Sequence, residues 1–251
     1  MTRKHCTASS PPGAAPTETG AMKQIPLPIG PRPEPGFHNF LPGANVAAVE
    51  HLRALLPPAA PVYLWGPPGS GKSHLLRALA ARLQAAGLQV GWFDAADALP
   101  WILSPDWAAV LIDRCELLSP QAQHAAFALF VEAATHGIQV AAAGRLPPVD
   151  LALREDLRTR LAWGHVYALQ PLDDAQARAA LRFEADQRGI FLSDEVMQHL
   201  LTHFPRDLAH LMELLDRLDD FGLAQGRRIT VPLLRQMLAQ VTTGAAEVAP
   251  G

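Results

Sequence analysis

Long apolar runs, cysteine and charge are all in short supply in this chain. No stretch reaches the roughly 18 consecutive apolar residues that a membrane-spanning helix needs, which excludes such a span. Arg3 and Lys4 near the N-terminus have no apolar segment behind them, so the start does not read as a secretory signal. Only two cysteines occur, Cys6 and Cys115, in unlike contexts and without metal-type spacing; reduced thiols are the expectation. The ten histidines are scattered, again without the spacing of a metal site. Lys and Arg total 21 against 24 Asp and Glu, a formal charge of −3, so no overall basic field marks a nucleic-acid binder. Charged residues make up 18 % and apolar residues 49 %, a balance that suits a cytoplasmic globular protein with a real core.

What is present is concentrated in one stretch. Val62 to Trp65 is an apolar run that reads as a buried strand, and the periodic apolar residues after Lys72 read as a helix. Between them Gly66, Pro67, Pro68, Gly69, Ser70, Gly71, Lys72 and Ser73 fit the phosphate-binding pattern G-x-x-x-x-G-K-[ST] at every fixed position, with His74 next. Glycines let successive backbone N–H groups turn toward one anion, and the helix N-terminus adds its dipole. Lys72 is placed to neutralise the β- and γ-phosphates, and the Ser73 hydroxyl to ligate Mg²⁺. A Gly/Pro turn between a core strand and a core helix is the plainer alternative. The pattern in its strand–helix setting predicts a nucleoside di- or triphosphate site.

The segment before this loop divides in two. Residues 1 to 36 are rich in Pro, Gly, Ala, Thr and Ser and predict a disordered tail, with Met22 a plausible true start. Inside it lie Gln24, Ile25, Pro26, Leu27, Pro28 and Ile29, three aliphatics with prolines that favour an extended shape. Two readings stay open: a peptide that inserts into a partner's groove, or a tail that folds back on its own domain. Phe37 to Asn45 then leads into a helix from Val46 to about Leu56, stopped by Pro57-Pro58.

Beyond the loop, strands and helices alternate. A helix over Lys72–Ala86, a strand at Val90–Phe93, a loop or short helix over Asp94–Leu103 and a strand at Ala108–Asp113 are expected. Asp113 ends its strand where ligands bind in open α/β sheets, so it is the candidate Mg²⁺-organising carboxylate; the plainer role is capping the next turn. Arg114 follows it, which leaves no adjacent second carboxylate to orient water and predicts slow self-catalysed hydrolysis. A helix over Pro120–His136, a strand over Ile138–Ala143, a helical stretch over Leu151–Leu161 and a strand over His165–Leu169 complete the pattern. Arg154, Arg158 and Arg160 lie among acids, the usual mark of a solvated face. From Asp173 the periodicity is helical only: Asp173–Arg188, a helix opened by Ser193, Pro205–Phe221 and Val231–Gln240, with an unstructured tail after Thr242. The fold class is α/β: a parallel five-stranded sheet with flanking helices over 37–170, followed by a small all-α subdomain over 171–241.

Residues 37 to 240 together resemble the AAA+ ATPases, and among them the bacterial replication initiator DnaA. Phe37, Asn39, Phe40, Gly43 and Asn45 look like the segment that opens the initiator's ATPase domain beside the adenine pocket. Leu157–Gly164 resembles the segment bearing the arginine finger, which falls on Arg160, and Phe204–Leu208 resembles the sensor 2 motif of the lid, which falls on Arg206. Without the resemblance, Arg206 is a helix-start arginine paired with Asp207. Two departures are Arg114 and Ala143, the latter where the family places a polar sensor 1 residue. The chain ends near the close of the lid, with no counterpart of the initiator's DNA-reading domain. A short DnaA-like ATPase with a glutamine-led aliphatic peptide is similar to the Hda family, regulatory inactivators of DnaA.

That resemblance implies ADP or ATP with Mg²⁺ as ligand, and DnaA and the DNA polymerase III β sliding clamp as partners. Gln24, Leu27 and Ile29 would dock on the clamp. Arg160 would supply an arginine finger in trans, intrinsic ATPase activity being weak or absent. Direct sequence-specific DNA binding and membrane attachment are not expected, and homo-oligomer formation stays open. Two rival readings are a self-hydrolysing ATPase of helicase-loader or remodelling type, and a tethering adaptor with a vestigial nucleotide site.

Overall fold

The computed structural model describes residues 35–204 and 208–246. The inner strands of its sheet are short and mostly apolar, as parallel strands covered on both faces must be. The strands are β1 (Val62–Trp65), β2 (Gln89–Asp94), β3 (Trp107–Asp113), β4 (Gln139–Gly144) and β5 (His165–Ala168). Every pairing is parallel and the order is β2-β3-β4-β1-β5. The helix α1 (Val46–Ala54) precedes β1, and the helical crossovers are α2 (Lys72–Ala85), α3 (Pro120–His136) and α4 (Glu155–Ala162). Two apolar clusters fill the space between sheet and helices. One gathers Leu52, Leu64, Leu75, Leu79 and Leu111; the other Tyr63, Ile112, Leu129, Phe130 and Leu157.

Local chemistry sets the helix limits. Ser119 caps α3, its Oγ accepting from the Ala122 N–H at 3.2 Å with Pro120 at the first helical position, and Gly137 ends it in the left-handed region. The stretch from Leu151 becomes helical only at Glu155. The Arg154 N–H donates to Gln123 Oε1 at 3.0 Å, which holds Arg154 extended and delays the first turn. Between Asp94 and Leu103 there are turns but no helix, pinned by Trp101 packing on Phe93 with ring centroids 5.0 Å apart.

The lid comprises α5 (Asp174–Gln187), α6 (Asp194–His203), α7 (Leu208–Gln225) and α8 (Val231–Ala246). Asp173 and Gln176 form a reciprocal capping box at α5, and Ser193 caps α6. The helices bury Leu181, Val196, Leu200, Leu211, Leu215 and Leu234 in a cluster of their own. The helix α8 continues to Ala246, past the Gln240 expected as its end and into the tail expected to be unstructured after Thr242; Ala245 and Ala246 have high helix propensity and extend the last turn. The tail peptide Gln24–Ile29 and Arg206 lie outside the described residues.

Candidate nucleotide site

The loop leaves the C-terminal end of β1, which lies between β4 and β5. Gly66, Gly69 and Gly71 take φ values of 154°, 77° and 89°, which side-chain-bearing residues rarely adopt, and they curl the backbone into α2. Gly71 is fixed twice over. A Cβ there would be strained at its φ and would sit 2.5 Å from the Phe40 ring. The N-terminus of α2 has no side-chain cap and no acid in its first turn, so its N–H groups and dipole are left for an external anion.

Lys72 is held within the loop. Its Nζ donates to the Gly66 carbonyl at 2.7 Å, the Pro67 carbonyl at 2.8 Å and Ser70 Oγ at 3.4 Å. Neutral carbonyls hold an ammonium less strongly than phosphate oxygens do, because hydrogen bonds between two charged groups are the stronger kind. The loop thus keeps its cation in place with partners that an anion can outcompete.

A strap crosses this loop. The His74 Nε2–H donates to the Gly36 carbonyl at 3.0 Å, since a carbonyl can only accept, and the His74 ring lies 5.3 Å from that of Phe40. Burial lowers the His74 pKa, the Gly36 bond opposing it, and Arg77 and His38 add to the fall. His74 therefore serves the strap through this bond. Arg53 donates to the Phe37 carbonyl at 3.2 Å and lies over the Phe37 ring. Asn45, buried, ties the strap's far end to Gln170.

At the other side of the loop stand the ends of β4 and β3. Ala143 and Gly144 are level with Leu64 and Trp65, so an apolar methyl and a bare backbone close this edge. Asp113 comes one residue past the Ile112–Ala142 pair, is 4 % exposed, and accepts from the Arg114 N–H at 2.9 Å. The structure thus brings Lys72, Ser73 and Asp113 to one end of the sheet, with β4 between loop and acid. Arg114 turns back in the left-handed region at φ 51°. Its Nε donates to Asp94 Oδ2 at 2.7 Å and its Nη2 to Asp94 Oδ1. Glu116 accepts from the Arg145 N–H at 3.2 Å, and the Tyr63 hydroxyl donates to the Leu146 carbonyl at 2.9 Å. Sequence reasoning missed Tyr63, Asp94 and the use of Glu116, because these contacts join distant parts of the chain.

Arg160 is on the last turn of α4. Leu157 and Leu161 face the core, while Arg160 stacks its guanidinium 5.1 Å from the centre of the Trp163 ring, itself 65 % exposed. Gly164 follows because nothing larger fits: the Pro61 carbonyl oxygen occupies the place of a Cβ at 1.8 Å. Among the described residues, no group of three or more His, Cys, Asp or Glu could hold a metal ion. No described helix is long and apolar enough to cross a membrane.

A parallel sheet in this order, a phosphate loop after the strand between β4 and β5, and an all-helical lid define a AAA+ nucleotide-binding fold. Residues 174–238 match the family model described as the Hda lid domain. Over this helical segment the chain is similar to the Hda family. Among solved structures, domain III of the Thermotoga maritima replication initiation protein DnaA superposes with a TM-score of 0.69 at 20 % identity, covering 83 % of this chain and 97 % of that one. AMPPCP-bound DnaA from Aquifex aeolicus gives 0.61 at 19 %, covering 75 % and 66 %. A RuvB mutant from Thermotoga maritima gives 0.60 at 16 %, covering 82 % and 71 %. At these identities the likeness is one of fold.

Proposed function

We propose that this protein is a negative regulator of replication initiation that binds ADP or ATP and stimulates ATP hydrolysis by the initiator DnaA. The nucleotide sits on Gly66–Ser73, with Lys72 on the β/γ-phosphates. Ser73 and Asp113 offer the hydroxyl and carboxylate oxygens that suit Mg²⁺, which would neutralise phosphate charge when bound. Arg206 would contact the nucleotide from the lid. Gln24–Ile29 would dock on the DNA polymerase III β sliding clamp and bring the chain to its partner.

One observation carries this reading: the phosphate loop is intact, while Arg114 is engaged with Asp94 and Ala143 and Gly144 end β4. That combination supports holding a nucleotide more than turning it over. A trans-acting cation then supplies the chemistry. Arg160, outward beside Trp163, would stabilise charge on the phosphoryl group in the initiator's own site, a role worth roughly 10³–10⁵ in rate elsewhere.

The test is Arg160→Ala. Nucleotide and clamp binding should be unchanged, while stimulation of DnaA hydrolysis in the presence of clamp-loaded DNA disappears. Stimulation that survives the change removes the finger assignment. Multiple turnover by the purified protein alone would favour a self-hydrolysing ATPase instead.

A further inference from the structure

We propose that residues 25–29 of this chain close the outer edge of β5 as a sixth, parallel strand of its own sheet. No described strand lies beyond β5, and three of its four residues are exposed, Val166 at 39 %. The His165 and Leu169 N–H groups donate inward, to the Pro61 and Trp65 carbonyls at 2.8 and 2.6 Å. Peptide groups alternate sides along a strand. Tyr167 therefore also faces β1, while Val166 and Ala168 each present an N–H and a C=O to the outside. Such an edge recruits extended chain unless charge or proline blunts it, and β5 has no proline, lysine or carboxylate.

The tail segment matches this edge in its backbone chemistry. Ile25, Leu27 and Ile29 alternate with Pro26 and Pro28. A proline favours extended backbone at its own position and at the residue before it. With Leu27 level with Tyr167, the Leu27 N–H would donate to the Val166 carbonyl and the Leu27 carbonyl accept from the Ala168 N–H. The Ile25 carbonyl would accept from the Val166 N–H, and the Ile29 N–H donate to the Ala168 carbonyl. Every outward group of β5 then has a partner. Pro26 and Pro28 turn their missing N–H away from the sheet, where an edge strand tolerates it. The new edge, lacking those donors, is itself blunted.

The tail also starts in the right place. The Gly36 carbonyl accepts from His74 in the first turn of α2, and the Phe37 carbonyl from Arg53 of α1. The helix α1 flanks β5, its His51 ring lying 4.3 Å from that of His165 and 5.5 Å from that of Tyr167. A sixth strand stands two steps of about 4.8 Å from β1. The chain from Ile29 to Pro35 spans up to about 20 Å when extended, so the reach suffices. A parallel strand also ends at the end of the sheet where the phosphate loop and Gly36 lie. Residues level with each other share a face, which sets Ile25, Leu27 and Ile29 on the side of His165, Tyr167 and α1. This pairing does not rest on the sliding clamp; a partner that takes Gln24–Ile29 would strip the peptide from β5.

The experiment is residue-resolved amide exchange on the full chain and on one lacking residues 22–30, with thermal melts to confirm that both fold. In the full chain the Val166 and Ala168 N–H groups should exchange about tenfold more slowly, the scale of one net hydrogen bond. Tyr167, bonded to β1, should be alike in both. Leu27→Pro, which deletes the central inward N–H, should speed both amides. Pro26→Ala, which adds an N–H facing away, should leave them slow, and dilution should change nothing. Equal exchange with and without the tail overturns the proposal. So does protection that survives the deletion and fades on dilution, which assigns the edge to a second copy. Clamp docking is scored apart, by gel filtration of the full chain with purified sliding clamp. Docking lost with edge protection kept fails the clamp reading alone, and the reverse fails this one alone.

Discussion

Asn45 and Gln170 exchange two hydrogen bonds across 125 residues of chain: Asn45 Nδ2 donates to the Gln170 carbonyl at 2.8 Å, and the Gln170 N–H donates to Asn45 Oδ1 at 2.7 Å. One end of this pair lies at the start of α1 and the other just after β5, where the chain turns toward the lid. A single side chain thus joins the strap to the bridge between the two subdomains.

Asn45→Ala removes both bonds and leaves a backbone donor and acceptor without their partner in a part-buried place. Losing bonds of this kind costs about 1–3 kcal/mol. Urea unfolding should show a lower midpoint with an unchanged slope.

Gly71→Ala should abolish nucleotide binding and destabilise the fold. A left-handed residue with a Cβ costs about 1–2 kcal/mol, and the Phe40 ring stands 2.5 Å from the new methyl. Adding Phe40→Ala relieves the contact but not the backbone strain. The double variant should therefore recover part of the lost stability, read by thermal melting, with ADP binding followed by calorimetry.

The Arg114–Asp94 pair separates stability from chemistry. Arg114 is about half exposed, and pairs of this kind contribute about 0–1 kcal/mol. Arg114→Ala should barely move the unfolding midpoint near neutral pH and should leave intrinsic hydrolysis at its baseline. Arg114→Glu adds a carboxylate at the end of β3, and it is the substitution expected to raise single-protein turnover. Burial alone would raise the Asp94 pKa, but the Arg114 bond outweighs it and the net shift is downward. That contribution is present above the usual aspartate pKa and is lost as pH falls through the lower folded value.

His51 should make stability fall on mild acidification. Its ring lies 4.3 Å from that of His165, and its pKa is lowered by burial first and then by His165. The unfolded chain, with its imidazole near 6.5, takes up the proton first. Stability from this group is thus complete above that value and declines as pH drops toward the folded pKa. His74 shifts in the same direction, also chiefly through burial. Unfolding midpoints measured from about pH 7.5 to pH 5 should decline, and His51→Gln should flatten part of the slope.

The phosphate loop could be read from the chain because its chemistry is local. Gly66, Gly69, Gly71, Lys72 and Ser73 form a strand–loop–helix turn set by backbone geometry and short reach, and their spacing carries that information. Asp113 was legible for a similar reason, as an acid closing an apolar run. Strand order was not. The strand β2 follows α2 directly, yet it lies at the sheet's far edge with β3 and β4 between it and β1, a result of packing. The Phe40–Gly71 contact and the Asn45–Gln170 pair are tertiary in the same sense, and composition cannot report them. Arg114 read as a missing carboxylate; that it turns back onto Asp94 needed coordinates.

The lid's apolar interior shares no residue with either cluster around the sheet. A short splice at residues 169–173 joins the sheet to the lid, and the Gly43 turn lies against Leu172 of the splice and Gln176 of α5. A molecule gripped by both sides would be the wedge that sets their angle. Amide exchange should then slow across the splice when that wedge is inserted, while both interiors keep their own rates.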